Sequence, residues 1–138
     1  MKFVTLKQGR YKVAAVTEEA GVEVLRFLRA LPADMQGSAA GLPALFQRYA
    51  ESGRQQLTNA VFHEANKQEG IWEFIKGRLR VFCFMDTDGT LLVLSHGAIK
   101  KTQKADPAEV AKAVRLKKDY MAAKAGNNIE WEERNERA

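Results

Sequence analysis

The sequence predicts an α+β fold: an antiparallel three- to four-stranded sheet, packed by an N-terminal helical pair and a C-terminal helix. Three observations carry this prediction. Residues 71–95 are β-rich runs separated by glycine turns, and residues 24–53 place apolar side chains at helical spacing. Asp106-Pro107-Ala108-Glu109 then opens a last helix.

Tyr11 to Val16 (YKVAAV) reads as a first strand, which Lys2 to Leu6 either extends or pairs. Thr17 offers an N-cap, with Glu18 and Glu19 in a first helical turn where the helix dipole favours acids. Val24, Leu25, Leu28 and Leu31 form one apolar stripe, and Pro32 stops it. Gly37 to Gly41 reads as a flexible connection to a second helix that starts near Pro43, carries Leu45, Phe46 and Tyr49, and ends at Gly53. Two helices joined this closely make an antiparallel pair. Between Gln55 and Gln68 the pattern leaves helix and strand equally open, although Leu57, Val61 and Phe62 need burial.

Ile71 to Ile75, Leu79 to Met85 and Thr90 to Ser95 are the strands of a meander, the middle one apolar on both faces as a central strand is. Lys76-Gly77-Arg78 and Thr87-Asp88-Gly89 are its turns. In the last helix Asp106 is the N-cap, Pro107 fits the first position and Glu109 completes a capping box. Val110, Val114 and Met121 share one face, and Gly126 is a stop. The domain therefore spans residues 1–126, followed by a charged tail, 127–138, expected to be mobile.

Composition sets the outer limits. A chain of 138 residues, 46% hydrophobic and 28% charged, suits one globular domain. Apolar runs such as Leu91 to Leu94 are far too short to span a membrane, and the opening Met-Lys-Phe-Val-Thr-Leu-Lys-Gln lacks an apolar leader segment. Cys83 is the single cysteine, so no intramolecular disulfide can form, and a buried thiol in a cytoplasmic protein is expected. Two histidines and one cysteine, widely spaced, argue against a zinc site. The net charge of +5 permits an anionic partner without requiring one.

Hairpin geometry shows where that charge collects. A turn centred near Asp88 places Arg80 opposite His96 or Gly97, and a turn near Gly77 places it opposite Glu73 or Ile75. Lys76, Arg78, Arg80, His96, Lys100, Lys101 and Lys104 then gather at one end of the sheet, while Asp86 and Asp88 lie at the other. Such a cluster can bind a phosphate backbone. It can also cleave RNA through the 2′-hydroxyl, which needs a base, an acid and cations for the charge growing on phosphorus. His96 suits proton transfer and Arg80 a bidentate grip on phosphate. Blander roles fit the same residues: a solvated lysine loop, an Arg80–Glu73 pair across the hairpin, surface histidines at 63 and 96, and core packing for Trp72, Phe74 and Tyr120.

Gly70-Ile-Trp-Glu-Phe, Gly77-Arg-Leu-Arg-Val-Phe-Cys-Phe-Met-Asp and Leu94-Ser-His-Gly-Ala-Ile-Lys-Lys-Thr-Gln-Lys, with a helix ending near Lys118-Asp119-Tyr120, resemble the RelE/ParE toxin superfamily. The resemblance is strongest to its HigB-like, phage-derived branch. It implies a small RelE-like fold and the toxin of a type II toxin–antitoxin pair, a ribosome-dependent, metal-free messenger-RNA endonuclease needing no cofactor. The implied partners are a helix-turn-helix antitoxin and messenger RNA on the ribosome, with no membrane. By position, Arg80 matches the arginine that contacts the scissile phosphate, Lys100 and Lys101 the basic pair, Lys104 the third lysine and Tyr120 a late aromatic. Arg80, Lys100, Lys101 and His96 are accordingly the catalytic candidates, with Lys76, Arg78, Lys104 and Tyr120 as RNA contacts and His63 a further candidate for proton transfer. Two other readings share these features: a ParE-like gyrase poison, and a non-catalytic phage-derived module that binds RNA or protein.

Overall fold

β-forming runs from both ends of the chain meet in one sheet. The computed structural model describes residues 1–101 and 106–132. In chain order the elements are β1 (Lys2–Gln8), β2 (Lys12–Glu18), β3 (Gly21–Val22), α1 (Glu23–Arg29), α2 (Gln36–Ser52), β4 (Phe62–Asn66), β5 (Ile71–Lys76), β6 (Leu79–Met85), β7 (Leu91–Ile99), α3 (Pro107–Ala125) and β8 (Glu130–Glu132). The strands lie in the order β4-β5-β6-β7-β2-β1-β8, with β3 paired to β2. Most neighbours are antiparallel, while β2–β7 and β1–β8 are parallel. Eight strands among the described residues replace the predicted three to four. The mixed α+β class and the β5–β6–β7 meander are as the sequence predicts.

Alternation along the strands sends side chains into two cores. Val13, Ala15, Phe74, Val81, Cys83, Leu92 and Leu94 face α1 and α2, where Val24, Leu28, Leu42 and Phe46 meet them. Phe3, Ile71, Phe82, Phe84 and Val93 face α3, where Ala113 and Tyr120 close the second core. The sheet is thus the middle layer of three, which is why β6 is apolar on both faces.

Three sequence expectations give way near the N-terminus. Thr17 caps no helix: β2 runs on to Glu18, and Gly21, at a φ of 102°, reverses the chain so that Thr17 pairs with Val22. Helix α1 therefore starts at Glu23, and Glu23 is the acid in its first turn. Residues 37–41 are helical rather than a flexible connection, since α2 begins at Gln36 and carries Pro43 inside it. The buried stripe of Ala39, Leu42, Leu45, Phe46, Tyr49 and Ala50 outweighs the missing proline N–H. Gly53, at a φ of 73°, ends the helix as expected.

The unassigned stretch from Gln55 to Gln68 contains edge strand β4. Phe62 supplies its anchor, stacked on Trp72 with centroids 5.0 Å apart and packed on Phe74 at 4.7 Å. At the other edge the tail expected to be mobile contains a strand, β8, whose Glu130–Glu132 pair with Lys2–Val4 of β1. Trp131 fastens it, its ring 5.9 Å from that of Phe3 and 4.3 Å from Lys12 Nζ. Helix α3 starts at the predicted N-cap, with Asp106 Oδ1 accepting from the Ala108 N–H and Pro107 in the first turn, but Glu109 completes no capping box: its N–H donates to the Asp106 carbonyl and its carboxylate lies by His96.

The third strand of the meander reaches Ile99 rather than Ser95 and contains a bulge. Cys83 pairs with Leu94 but Phe82 pairs with His96, so Ser95 has no partner on β6. That extra residue advances the register by one and sets Arg80 opposite Ala98, not His96 or Gly97. It also turns His96 onto the α3 face, where its ring stacks on Phe82 at 5.2 Å.

Candidate active site

The start of β6, the end of β7 and the start of α3 meet at one end of the sheet and leave a cleft of about 780 Å³. Arg80, Lys100 and Lys101 line it together with the carboxylates Glu73, Asp106 and Glu109. Phe27, Phe82, Ala98, Ile99 and Pro107 supply apolar wall. The backbone fixes this geometry, since the Lys100 N–H donates to the Arg78 carbonyl at 2.7 Å and ties the β5–β6 turn to the end of β7.

Arg80 is held from two sides. Its Nη1 donates to the carbonyls of Gly77 at 2.8 Å and Leu79 at 2.9 Å. Its Nε lies 3.1 Å from Glu73 Oε1, close enough for an ion pair but misaligned for a hydrogen bond. Both side chains are largely buried, so the pairing of Arg80 with Glu73 that the sequence allows is realised. Arg80 still lines the cleft.

His96 lies behind this cleft rather than in it. It is buried, with Nδ1 2.8 Å from Ser95 Oγ and Nε2 without a hydrogen-bond partner. Burial, aided by the positive charge of Lys112, lowers its pKa to about 4. The ring is therefore neutral at pH 7, and Glu109 Oε1, 3.6 Å from Nε2, makes no salt bridge with it there. Burial and the neighbouring Asp106 in turn raise Glu109. The structure thus counts against His96 as a solvent-facing acid or base. Glu109 escapes a sequence reading because its spacing from Asp106 already has an explanation in helix capping; its place in the first turn of α3, soon after the lysine run, is the signal that it faces the same cleft.

The remaining candidates divide. Arg78 is exposed on the turn beside Lys100. Lys76 belongs to the α2 face, where its side chain lies against Gly41 with no room for a Cβ there. Lys104 lies outside the described residues. Tyr120 is at the opposite end of the sheet: it is buried, and its hydroxyl donates to Asp86 Oδ2 at 2.6 Å. Arg80 and Asp86 are six residues apart along one chain run, on the order of 20 Å. Tyr120 is thus no partner of Arg80, and burial and the Asp86 acceptor both raise its pKa. Cys83, buried and with its thiol pushed well up by burial and then by Glu73, is no nucleophile.

His63, in the stretch the sequence leaves unassigned, turns out to face Glu73. Its Nε2 is 3.7 Å from Glu73 Oε1, and its side chain is 42% exposed. No group of three or more His, Cys, Asp or Glu placed to hold a metal occurs among the described residues. Nor is any described helix long and apolar enough to cross a membrane.

One chain of the RelBE2 toxin–antitoxin complex from Mycobacterium tuberculosis aligns with 18% identity and a TM-score of 0.43, covering 66% of this chain and 99% of that one. No curated protein matches. The model of the phage-derived Gp49-like proteins (DUF891) matches residues 26–118, from within α1 well into α3 and across the whole meander. That span exceeds half of the chain, and the chain belongs to the phage-derived Gp49-like family.

Proposed function

We propose that this protein is the toxin of a type II toxin–antitoxin pair, of the HigB-like kind, and that it cleaves messenger RNA on the ribosome. The observation that carries the reading is the convergence of Arg80, Lys100 and Lys101 on one cleft at the end of the sheet. Membership of the phage-derived Gp49-like family, and the resemblance of residues 70–104 to RelE/ParE toxins, support it.

The chemistry is attack of the 2′-hydroxyl oxygen on the adjacent phosphorus. An O2′–P bond forms, the P–O5′ bond breaks, and the products are a 2′,3′-cyclic phosphate and a 5′-hydroxyl. Negative charge grows on the phosphate oxygens, and Arg80 with the two lysines stabilises it. The apolar wall of Phe27, Phe82 and Pro107 gives a flanking base a surface to lie on. A small helix-turn-helix antitoxin is the partner this reading assigns.

Inducible expression followed by mapping of messenger-RNA 5′ ends tests the proposal. Growth arrest with codon-phased cleavage, absent in Arg80→Ala, supports it. Arrest with DNA trapped on gyrase and intact messages overturns it in favour of a gyrase poison. The contact between Arg80 and Glu73 favours one further reading, a binding module without catalysis, which predicts normal growth and intact messages.

A further inference from the structure

A row of titratable side chains crosses three neighbouring strands beside the cleft. His63 on β4 and Glu73 on β5 are register partners, while Arg80 on β6, paired with Ile75, reaches Glu73 diagonally. One oxygen joins them: Glu73 Oε1 is 3.7 Å from His63 Nε2 and 3.1 Å from Arg80 Nε. Exposure rises outward from the carboxylate, from 6% for Glu73 to 12% for Arg80 and 42% for His63. The acid is largely buried in the cleft wall beside the arginine, and the imidazole reaches water.

We infer that His63 is the residue that removes the 2′-hydroxyl proton, with Glu73 as its positioning residue and Arg80 holding the phosphate alongside; the inference rests on the RNA-cleaving reading above. A general base must reach its proton, keep a fixed orientation and stand a set distance from the phosphate-binding group. His63 is not among the side chains that line the cleft, but it stands against Glu73, which is. The imidazole is accessible, and a carboxylate backs one of its nitrogens. Because Glu73 touches both His63 and Arg80, one buried side chain sets the spacing of base and phosphate. His96 is fixed in orientation by Ser95 and Phe82 but fails on reach, being buried with Nε2 unpartnered.

In the reaction one imidazole nitrogen of His63 takes the 2′-hydroxyl proton as O2′ bonds to phosphorus. The imidazolium so formed gains an ion pair with the Glu73 carboxylate, the stabilisation a buried acid behind a histidine provides. The departing O5′ takes a proton from a water molecule, and the hydroxide left behind takes the proton of the His63 imidazolium, restoring the base. The 3.7 Å contact is longer than a hydrogen bond, as such contacts are before substrate draws them in.

Cleavage of ribosome-bound message by the purified full-length chain tests this. His63→Ala should lower kcat by about 100-fold or more with KM nearly unchanged, and should remove the acid limb of the pH–rate profile. Glu73→Gln should lower kcat by roughly tenfold or more and displace that limb. His63→Gln keeps a polar, similarly sized side chain but no base, so loss of rate in a variant that melts like wild type confirms the role. If Arg80→Ala is inactive while His63→Ala cleaves like wild type, this inference falls and the RNA-cleaving reading stands. A defect of His63→Ala confined to KM also overturns it. If wild type leaves message intact, both readings fall.

Discussion

Arg80 Nε and Glu73 Oε1 lie 3.1 Å apart on adjacent strands, the arginine side chain 12% and the glutamate 6% exposed. A contact sealed to that degree couples stability to function at one point, because removing either partner strands a charge. Arg80→Ala should lower unfolding free energy by about 3 kcal/mol. The double variant Glu73→Gln/Arg80→Met, which leaves no stranded charge, should recover much of that loss in urea titrations. Both variants should fail to cleave RNA, so lost activity and lost stability part company in the double variant.

Lys100 and Lys101 make a separate prediction through salt. If each neutralises one phosphate of the message, the slope of log affinity against log salt should fall by about 0.7 for each lysine replaced by alanine. Filter binding or fluorescence anisotropy with a single-stranded RNA across a salt series measures it. An unchanged slope would place these lysines off the RNA path.

Tyr120 should behave as structure only. Its hydroxyl shares Asp86 with Lys124 Nζ, at 2.8 and 2.9 Å from the two carboxylate oxygens, and with the Thr87 N–H. Burial would raise Asp86, but the bonds from Lys124, Tyr120 and Thr87 prevail and hold it below its usual value. Tyr120→Phe should cost about 1–3 kcal/mol of stability, read by thermal or urea melting, and leave RNA cleavage intact.

The neutral, buried His96 predicts a pH dependence. Its pKa falls to about 4 in the fold, so the unfolded chain binds the proton more readily. Stability should therefore drop as pH falls from the ordinary histidine value of about 6.5 toward 4, by up to about 3 kcal/mol from this group. Glu109, raised by burial, works in the opposite sense and gains as the pH falls through its own raised pKa. His96→Gln isolates the histidine: its stability should fall less than that of wild type between pH 7 and pH 5.

Gly97 tests the packing of the bulged strand. A Cβ there would sit 2.2 Å from Phe27 Cδ2, so Gly97→Ala must push the α1 phenylalanine out of place. The expected loss is about 1–3 kcal/mol, with weaker RNA binding because Phe27 also lines the cleft.

What was legible in the sequence follows from how local its causes are. The β5–β6–β7 meander can be read because Gly77 and Gly89 sit in its turns at φ of 58° and 77°, a conformation their neighbours favour little. The start of α3 can be read because Asp106 and Pro107 act on their own turn. Helix α2 hides its first turns, since Gly37, Gly41 and Pro43 all argue against a helix that only tertiary packing secures. Strand β4 hides because an edge strand with Phe62 as its main buried side chain has little periodicity. Of the site, Arg80, Lys100 and Lys101 are visible from hairpin counting alone. The bulge at Ser95 is not, and with it goes the burial of His96. His63 stays unplaced because its role depends on pairing β4 with β5, a contact no local signal announces.

The most direct measurement is the chemistry of the RNA ends produced by the purified protein on ribosome-bound message. A 5′-hydroxyl facing a 2′,3′-cyclic phosphate, lost on replacing Arg80 or both Lys100 and Lys101, is the result predicted for a sheet-end cluster acting through the 2′-hydroxyl. Fragments ending in a 5′-phosphate, or cleavage unchanged in those variants, would contradict it.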